Sequence, residues 1–339
     1  MITNYEILQT IIAENEFINR IPELTRENIA TVGNALIEYD VDKNIFLNAL
    51  VNKIGLTLIT SDTFDNIFTK FHSPELTYGD CIEDIFVQLT TGENFDPSDE
   101  NPFAKNSPTI DVIYHKEDRK IVYTITISDS QLKSAFTSPS GLENLITALM
   151  GSLNTSLEYD DFVMTKKLIS DEKNYGKVIS LPLNEEGVEY DSAEFHKRLL
   201  KEIKLQSMQM SFMRDDCNAL KVKTNTPLKY QTLFIKGENK LEIDMEVLAG
   251  IFNLSKSEIE NEIIIIDDFI VSDTNTVIPV ACLIDSRAFK IVPTLKITKS
   301  QENGKALYTN FFLHYWQIQS ISLFRNMVMF GYPVPTEEI

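Results

Sequence analysis

The stretch from residue 90 to residue 109 places the tightest limit on what this chain can fold into. It holds Gly92, Pro97, Pro102 and Pro108 among Glu93, Asp96, Asp99 and Glu100. Proline has no amide to give to a strand ladder, and clustered carboxylates favour water. Yet strand-forming sequence lies on both sides. Residues 81–89 read as an outgoing strand. Further on, Ile121, Tyr123, Ile125 and Ile127 share one face while Val122, Thr124 and Thr126 share the other. This strict period of two with β-branched residues predicts a return strand, so residues 66–127 read as a long two-stranded excursion. A structureless loop of this length is uncommon inside a compact domain. Two readings stay open: an arm that another chain puts in order, or a surface loop.

The rest of the chain alternates helical and strand patterns. Tyr5, Ile7, Leu8, Ile11 and Ile12 form a short helical stripe ending before Pro22, either a packed N-terminal helix or an arm. Residues 54–59 alternate loosely and read as a strand. Ser140 and Glu143 have capping-box spacing ahead of Leu142, Leu145, Ile146, Leu149, Met150, Leu153 and Leu157. A helix over 140–172, stopped at Tyr175-Gly176, would span ~50 Å at ~1.5 Å per residue, long enough to be a spine. Asp191 with Glu194 opens a helix carrying Phe195, Leu199, Leu200 and Ile203, and Asp244 opens one carrying Val247, Leu248, Ile251 and Phe252. Residues 263–266 and 280–284 read as buried strands, each followed by aspartate. Residues 288–297 and 307–330 are strongly apolar around a Gly304 turn, with a break expected at Ser320 and Ser322.

Charge and cysteine usage narrow the function. The chain has 339 residues, which predicts two domains or one elaborated fold. Lys and Arg number 31 against 50 Asp and Glu, a formal charge of −19. Such a chain does not condense nucleic acid or coat anionic lipid by net charge, although an acidic wall suits a container that repels phosphate. Cys81, Cys217 and Cys282 are odd in number and widely spaced, against a disulfide framework or a zinc site and in favour of a reducing compartment. No basic, apolar leader and no membrane-length apolar run is present, so neither a secretory signal nor a span is expected.

Catalytic patterns are sparse. No nucleotide loop, zincin or nucleophile-elbow motif occurs, and His72, His115, His196 and His314 are scattered. Asp111, with Asp118-Arg119-Lys120, resembles the carboxylate and Asp-x-Lys set of metal-dependent nucleases, in which carboxylates hold Mg²⁺ and the lysine polarises water. Its proline is misplaced, because Pro108 does not adjoin the aspartate. Asp267, Asp268 and Asp285 stand at strand ends, where divalent metal binds in some α/β proteins but where turn and cap roles are the commoner use. Trp316 with Phe311, Phe312 and Tyr315 reads as a packed core strand before a base-stacking platform, since few cations accompany it. Lys197, Arg198, Lys201 and Lys204 are diluted by Glu194 and Glu202, and like Lys166 and Lys167 are expected to make solvent or intersubunit contacts.

A resemblance gathers these features. Asn28-Ile29-Ala30-Thr31-Val32-Gly33, Leu50-Val51-Asn52-Lys53-Ile54-Gly55-Leu56, Phe71, Ile82-Glu83-Asp84-Ile85-Phe86 and Asp129 to Phe136 are similar to successive segments of one family. So are Asp244 to Asn253 with Ile265-Ile266-Asp267-Asp268-Phe269. Most specific is the string from Tyr308-Thr309-Asn310 through His314-Tyr315-Trp316-Gln317 to Ser320, Ser322, Phe324, Arg325 and Asn326. Over about residues 28–330 the chain resembles the major capsid proteins of small podophages of the phi-29 type, which have the Hong Kong 97-like capsid fold. Those proteins continue into a C-terminal immunoglobulin-like domain. This sequence stops at Ile339, so decoration by that domain is not carried over.

The resemblance implies an α+β fold with an N-terminal arm and first peripheral segment (1–60), an extended loop (66–127), a peripheral domain with the spine helix (128–176), an axial domain (177–286) and a return to the peripheral domain (287–339). It implies a non-enzymatic shell subunit without cofactor or metal. Its partners would be further copies of itself in hexamers and pentamers, a scaffolding protein, a portal protein, and enclosed double-stranded DNA met without sequence preference. No membrane is involved. The subunit would be made and assembled in the bacterial host cytoplasm and end in the virion. Asp99, Glu100, Phe103 and Lys105, in the loop, are the candidate intersubunit contacts. An encapsulin-like nanocompartment shell and the metal-dependent nuclease are the alternative readings.

Overall fold

A computed structural model describes residues 3–18, 21–57, 64–76, 79–92, 94, 107–137, 140–182, 193–238 and 263–334. In chain order the described elements begin with α1 (Asn4–Glu14), α2 (Ile29–Glu38), α3 (Asp40–Thr57), β1 (Cys81–Val87), β2 (Ile110–Lys116), β3 (Arg119–Ser128), α4 (Asp129–Thr137) and α5 (Gly141–Ser170). They continue with β4 (Lys177–Ser180), α6 (Ala193–Met210), β5 (Gln231–Lys236), β6 (Ile263–Ile266), β7 (Val277–Asp285), β8 (Phe289–Asn303), β9 (Tyr308–Ile321) and β10 (Met327–Pro333). The chain divides into two compact units. One comprises Met1–Asn66, Arg119–Phe162 and Thr294–Trp316, the other Ile67–Asp118, Val163–Pro293 and Gln317–Ile339.

The first unit is built on helices α1 to α4. α1 begins in a capping box: the Thr3 hydroxyl accepts from the Glu6 amide, and the Glu6 carboxylate accepts from the Thr3 amide. Its predicted stripe is real, and Ile7, Leu8 and Ile11 are buried with Val32, Leu36, Phe46, Leu47, Leu50, Phe136 and Leu142 in one core. Inside that core, Asn4 donates from Nδ2 to the Ala135 carbonyl (3.0 Å) and accepts from the Leu142 amide (3.2 Å), which ties α1 to the α4–α5 junction. Gly33 is required by contact rather than by conformation, since a Cβ there would run into the Phe136 ring.

Buried cations of this unit are ion-paired. Lys43 is held by Asp129 and Glu302 at 2.6 Å each, and Arg119 by Asp161 at 3.0 Å. β3 belongs to a three-stranded sheet of order β3-β9-β8. Its predicted alternation holds, with Val122, Thr124 and Thr126 exposed and Ile127 buried.

The second unit carries a mixed five-stranded sheet of order β4-β10-β7-β5-β6. β10 runs antiparallel to β7 and parallel to β4, and β5 runs antiparallel to β7 and parallel to β6. β7, in the middle, is buried along almost its whole length, as its unbroken apolar run from Val280 to Ile284 predicts. Phe195, Leu199 and Ile203 of α6 share a core with Leu233, Ile235, Leu283, Val328 and Phe330. The expected break near Ser322 falls between β9 and β10.

Three expectations are corrected. Residues 54–57 are not strand but the last turn of α3. The buried positions Phe46, Leu47 and Leu50 set a helical stripe that carries the helix on past the loose alternation. The return strand of the excursion is β2, which pairs with β1 from Cys81↔Lys116 to Val87↔Ile110. Residues 121–127 instead enter the β3-β9-β8 sheet after a break at Glu117 and Asp118. α5 is a 30-residue helix, ~45 Å at ~1.5 Å per residue, but Tyr175-Gly176 does not end it. It ends at Ser170, where Asp171 accepts from the Lys173 amide and opens a short 3₁₀ turn. Gly176 is needed for another reason: the Cys217–Asn218 backbone passes where its side chain would be. The helix expected after Asp244 lies outside the described residues.

Candidate functional site

None of the catalytic constellations assembles among the described residues. The Asp111 carboxylate accepts from Gln88 Nε2 at 2.8 Å, and Asp118 from the Gln319 amide at 2.8 Å. Lys120 Nζ lies 4.6 Å from the Trp316 ring centroid, a cation over an aromatic face. Arg119 is the buried member of that motif, and it is committed to Asp161. The strand-end aspartates take cap and pairing roles. Asp267 binds Lys166 Nζ at 2.8 Å, Asp268 accepts from the Phe269 amide, and Asp285 accepts from the Arg287 amide, its guanidinium and the Thr226 hydroxyl. No group of three or more His, Cys, Asp or Glu is disposed to hold a metal among the described residues. Phe311, Leu313 and Tyr315 are buried, so this stretch of β9 is core. Arg198 pairs with Glu194 along α6 at 3.0 Å.

The β1–β2 ribbon presents a different kind of site. Its register places Ile82, Asp84 and Phe86 with Ile113 and His115 on one face. That face is fastened to the second unit. Phe86 stacks on Phe324 with centroids 5.4 Å apart, and Ser322 donates a short hydrogen bond to Asp84 Oδ2. His115 Nδ1 lies 2.8 Å from Ser320 Oγ and its Nε2 lies 3.7 Å from Asp84 Oδ2, while Lys290 Nζ is 3.8 Å from Asp84 Oδ1. The imidazole beside Asp84, then the Ser322 hydroxyl and the lysine, hold its carboxyl down at about 2 against the opposing effect of burial. Serine, histidine and aspartate meet here across the seam between the ribbon and the segments carrying Lys290, Ser320 and Ser322, so the group acts as an anchor. Sequence reading missed it because its members are up to 238 positions apart.

The opposite face of the ribbon is exposed among the described residues. The cross-strand pairs Glu83–Tyr114, Ile85–Val112 and Val87–Ile110 line it, followed by Leu89. Ile85 is 55% exposed, Ile110 55%, Tyr114 57% and Leu89 59%. Exposed apolar strips of this size are characteristic of interaction surfaces, because a two-stranded ribbon has no second layer of its own to cover one face. Asp99, Glu100, Phe103 and Lys105, the candidate contacts beyond the strand ends, lie outside the described residues.

Comparison with known proteins gives this surface its context. The sequence profile of the Phi29-like phage major capsid protein family matches residues 8–331. The major capsid protein of Bacillus phage GA-1 is 29% identical, over 96% of this chain and 69% of its own length. That of Streptococcus phage Cp-1 is 27% identical, over 96% of this chain and 93% of its own length. Among solved structures, a chain of the Staphylococcus phage Andhra capsid aligns with a TM-score of 0.60 at 13% identity, covering 82% of this chain and 87% of that one. A chain of the cyanophage P-SCSP1u capsid aligns with a TM-score of 0.54 at 12% identity, covering 82% and 91%. The fold is therefore the α+β, Hong Kong 97-like capsid fold, and neither the nanocompartment nor the nuclease reading is favoured. The chain belongs to the Phi29-like phage major capsid protein family and is a structural, non-enzymatic component of a phage virion.

Proposed function

We propose that copies of this chain assemble through hexamers and pentamers into a closed shell around double-stranded DNA, with the exposed face of the β1–β2 ribbon covered by a neighbouring copy. The observation that carries this is the exposed strip of Ile85, Val87, Leu89, Ile110, Val112 and Tyr114 on a ribbon whose other face is already anchored. Covering each half-exposed side chain contributes on the order of 1 kcal/mol, so one ribbon supplies several kcal/mol per contact. A shell repeats that contact at every subunit, which suits a closed symmetric assembly.

In this reading residues 1–60 are the arm and first peripheral segment, 66–127 the extended loop, 128–176 and 287–339 the peripheral domain, and 177–286 the axial domain. Asp99, Glu100, Phe103 and Lys105 continue the ribbon's contact with the neighbour. A scaffolding protein and a portal protein take part in assembly in the host cytoplasm. The formal charge of −19 makes the wall one along which DNA slides.

The test is the double substitution Ile85→Asp and Val112→Asp. The free subunit should fold, with unchanged circular dichroism and melting, because both side chains are exposed. Electron microscopy should show no shells. Normal shells from the double variant would overturn the assignment of this face, and particles that protect no DNA from nuclease would overturn the DNA-container reading.

A further inference from the structure

α6 buries its inner face in the core of the second unit through Phe195, Leu199, Ile203 and Met210. A surface helix ordinarily turns polar residues outward. The first half of α6 does so, with Lys197, Lys201 and Lys204 exposed. The second half does not. Leu205 and Met208 are exposed, and the tight turn that closes the helix carries Phe212 and Met213 out beyond them. Phe212 is 66% exposed, more than any other large apolar side chain described in this unit. Positions 205, 208 and 212 have the spacing of one helix face. The four side chains expose on the order of 400 Å², the size of patch that marks an interaction site on a soluble protein. Two of them are methionines, whose flexible thioethers suit a surface that adapts to a partner.

The order of charges along this face says what covers it. Lys201 and Lys204 precede the apolar residues, and Asp215 follows them. All three are exposed, and among the described residues none of them is held in a hydrogen bond or ion pair. The neighbouring Arg214 guanidinium is already committed to Asp216, at 2.8 and 2.7 Å. The order is symmetric about Met208 in position and opposite in sign. Lys201 stands as far before Met208 as Asp215 stands after it, and Lys204 as far before as Phe212 after. A second copy laid antiparallel across Met208 therefore sets Lys201 against Asp215 and Lys204 over the Phe212 ring, each twice, as a two-fold contact requires. A parallel copy would set lysine beside lysine. Two such patches with the lysine stems beside them bury about 1,000 Å², the low end of specific interfaces, which makes a reversible contact.

We propose that the outer face of α6 docks the same face of a second copy of this chain, antiparallel and centred on Met208. The choice of occupant rests on the reading of the chain as a shell subunit, which brings copies together at high local concentration. This contact is distinct from the β1–β2 ribbon and makes a second self-association surface on the second unit.

The experiment oxidises the free full-length subunit carrying Cys81→Ser with Met208→Cys and reads covalent dimer on a non-reducing gel. A residue on the two-fold axis meets its own copy, so Met208→Cys should cross-link. Lys197→Cys is the collision control. It is equally exposed, but the proposed register separates the two copies of position 197 by ~33 Å at ~1.5 Å per residue, so it should not cross-link. Melting confirms that each variant is folded. Adding Phe212→Asp should abolish the cross-link. Lys201→Asp or Asp215→Lys alone sets like charges together twice and should lower self-association on the order of tenfold in sedimentation. Lys201→Asp with Asp215→Lys should restore it. Equal cross-linking at 208 and 197, cross-linking at neither, or a double swap that does not recover would overturn the proposal. So would self-association unaffected by Phe212→Asp. Ile85→Asp with Val112→Asp should remove shells and keep the Met208→Cys cross-link, so failure of the ribbon contact and failure of this one are read separately.

Discussion

Replacing Asp84 with asparagine tests the anchor that fastens the β1–β2 ribbon. The carboxyl sits at about 2, against 3.8 for an ordinary aspartate. At ~1.36 kcal/mol per pH unit, this gap makes the native partners of the carboxylate worth about 2 kcal/mol. The side chain is 13% exposed, so solvent screens little of it. The sign follows from the direction of the change. A carboxyl lowered in the folded state adds stability that is fully present above its unfolded value near 4 and disappears as pH falls toward 2. Asparagine keeps the shape and can still accept from Ser322, but it gives up the attraction to His115 and Lys290. Denaturant unfolding of free wild-type and Asp84→Asn subunits should therefore differ by about 2 kcal/mol near neutral pH. The difference should shrink through pH 4 and vanish near pH 2. Amide hydrogen exchange should rise in residues 81–87 and 110–116 of the variant, where the ribbon loosens. A difference that stays constant down to pH 2, or none at neutral pH, would refute the anchor.

Other outcomes follow from the same structure. Asp161→Ala should cost about 3–5 kcal/mol by removing the carboxylate that faces the buried Arg119 guanidinium, and Arg119→Met with Asp161→Leu should recover most of that in denaturant titrations. On α5, Leu153→Asp should abolish soluble expression, since Leu153 is 5% exposed, whereas Asn144→Asp on the exposed side should leave melting unchanged. Thiol labelling of the native subunit near pH 8 should modify Cys81 first. Burial pushes the Cys217 thiol up to about 11 and the Cys282 thiol up to about 12, so both should react only after denaturation.

Much of this protein is legible along the chain. The stripe of Ile7, Leu8 and Ile11, the seven-position pattern behind α5, the alternation of β3 and the unbroken apolar run of β7 are local periodicities, and a helix or strand inherits its buried face from them directly. The string from Tyr308 to Asn326 was enough to point to the family. What the sequence could not decide was partnership. The local pattern pairs β1 with residues 121–127, yet its partner is β2, because both candidates alternate and nothing local distinguishes which one the chain brings alongside. Residues 54–57 continue a helix because the stripe begun at Phe46 and Leu47 is buried against the other helices of its unit, and loose alternation does not outweigh that burial. The Asp84–His115–Ser320–Ser322 anchor draws on residues more than a hundred positions apart. Secondary structure is written in neighbours a few residues apart, whereas ion pairs, ladders and cavities depend on which distant segments the closed chain places within a few ångströms, and only the tertiary structure determines that.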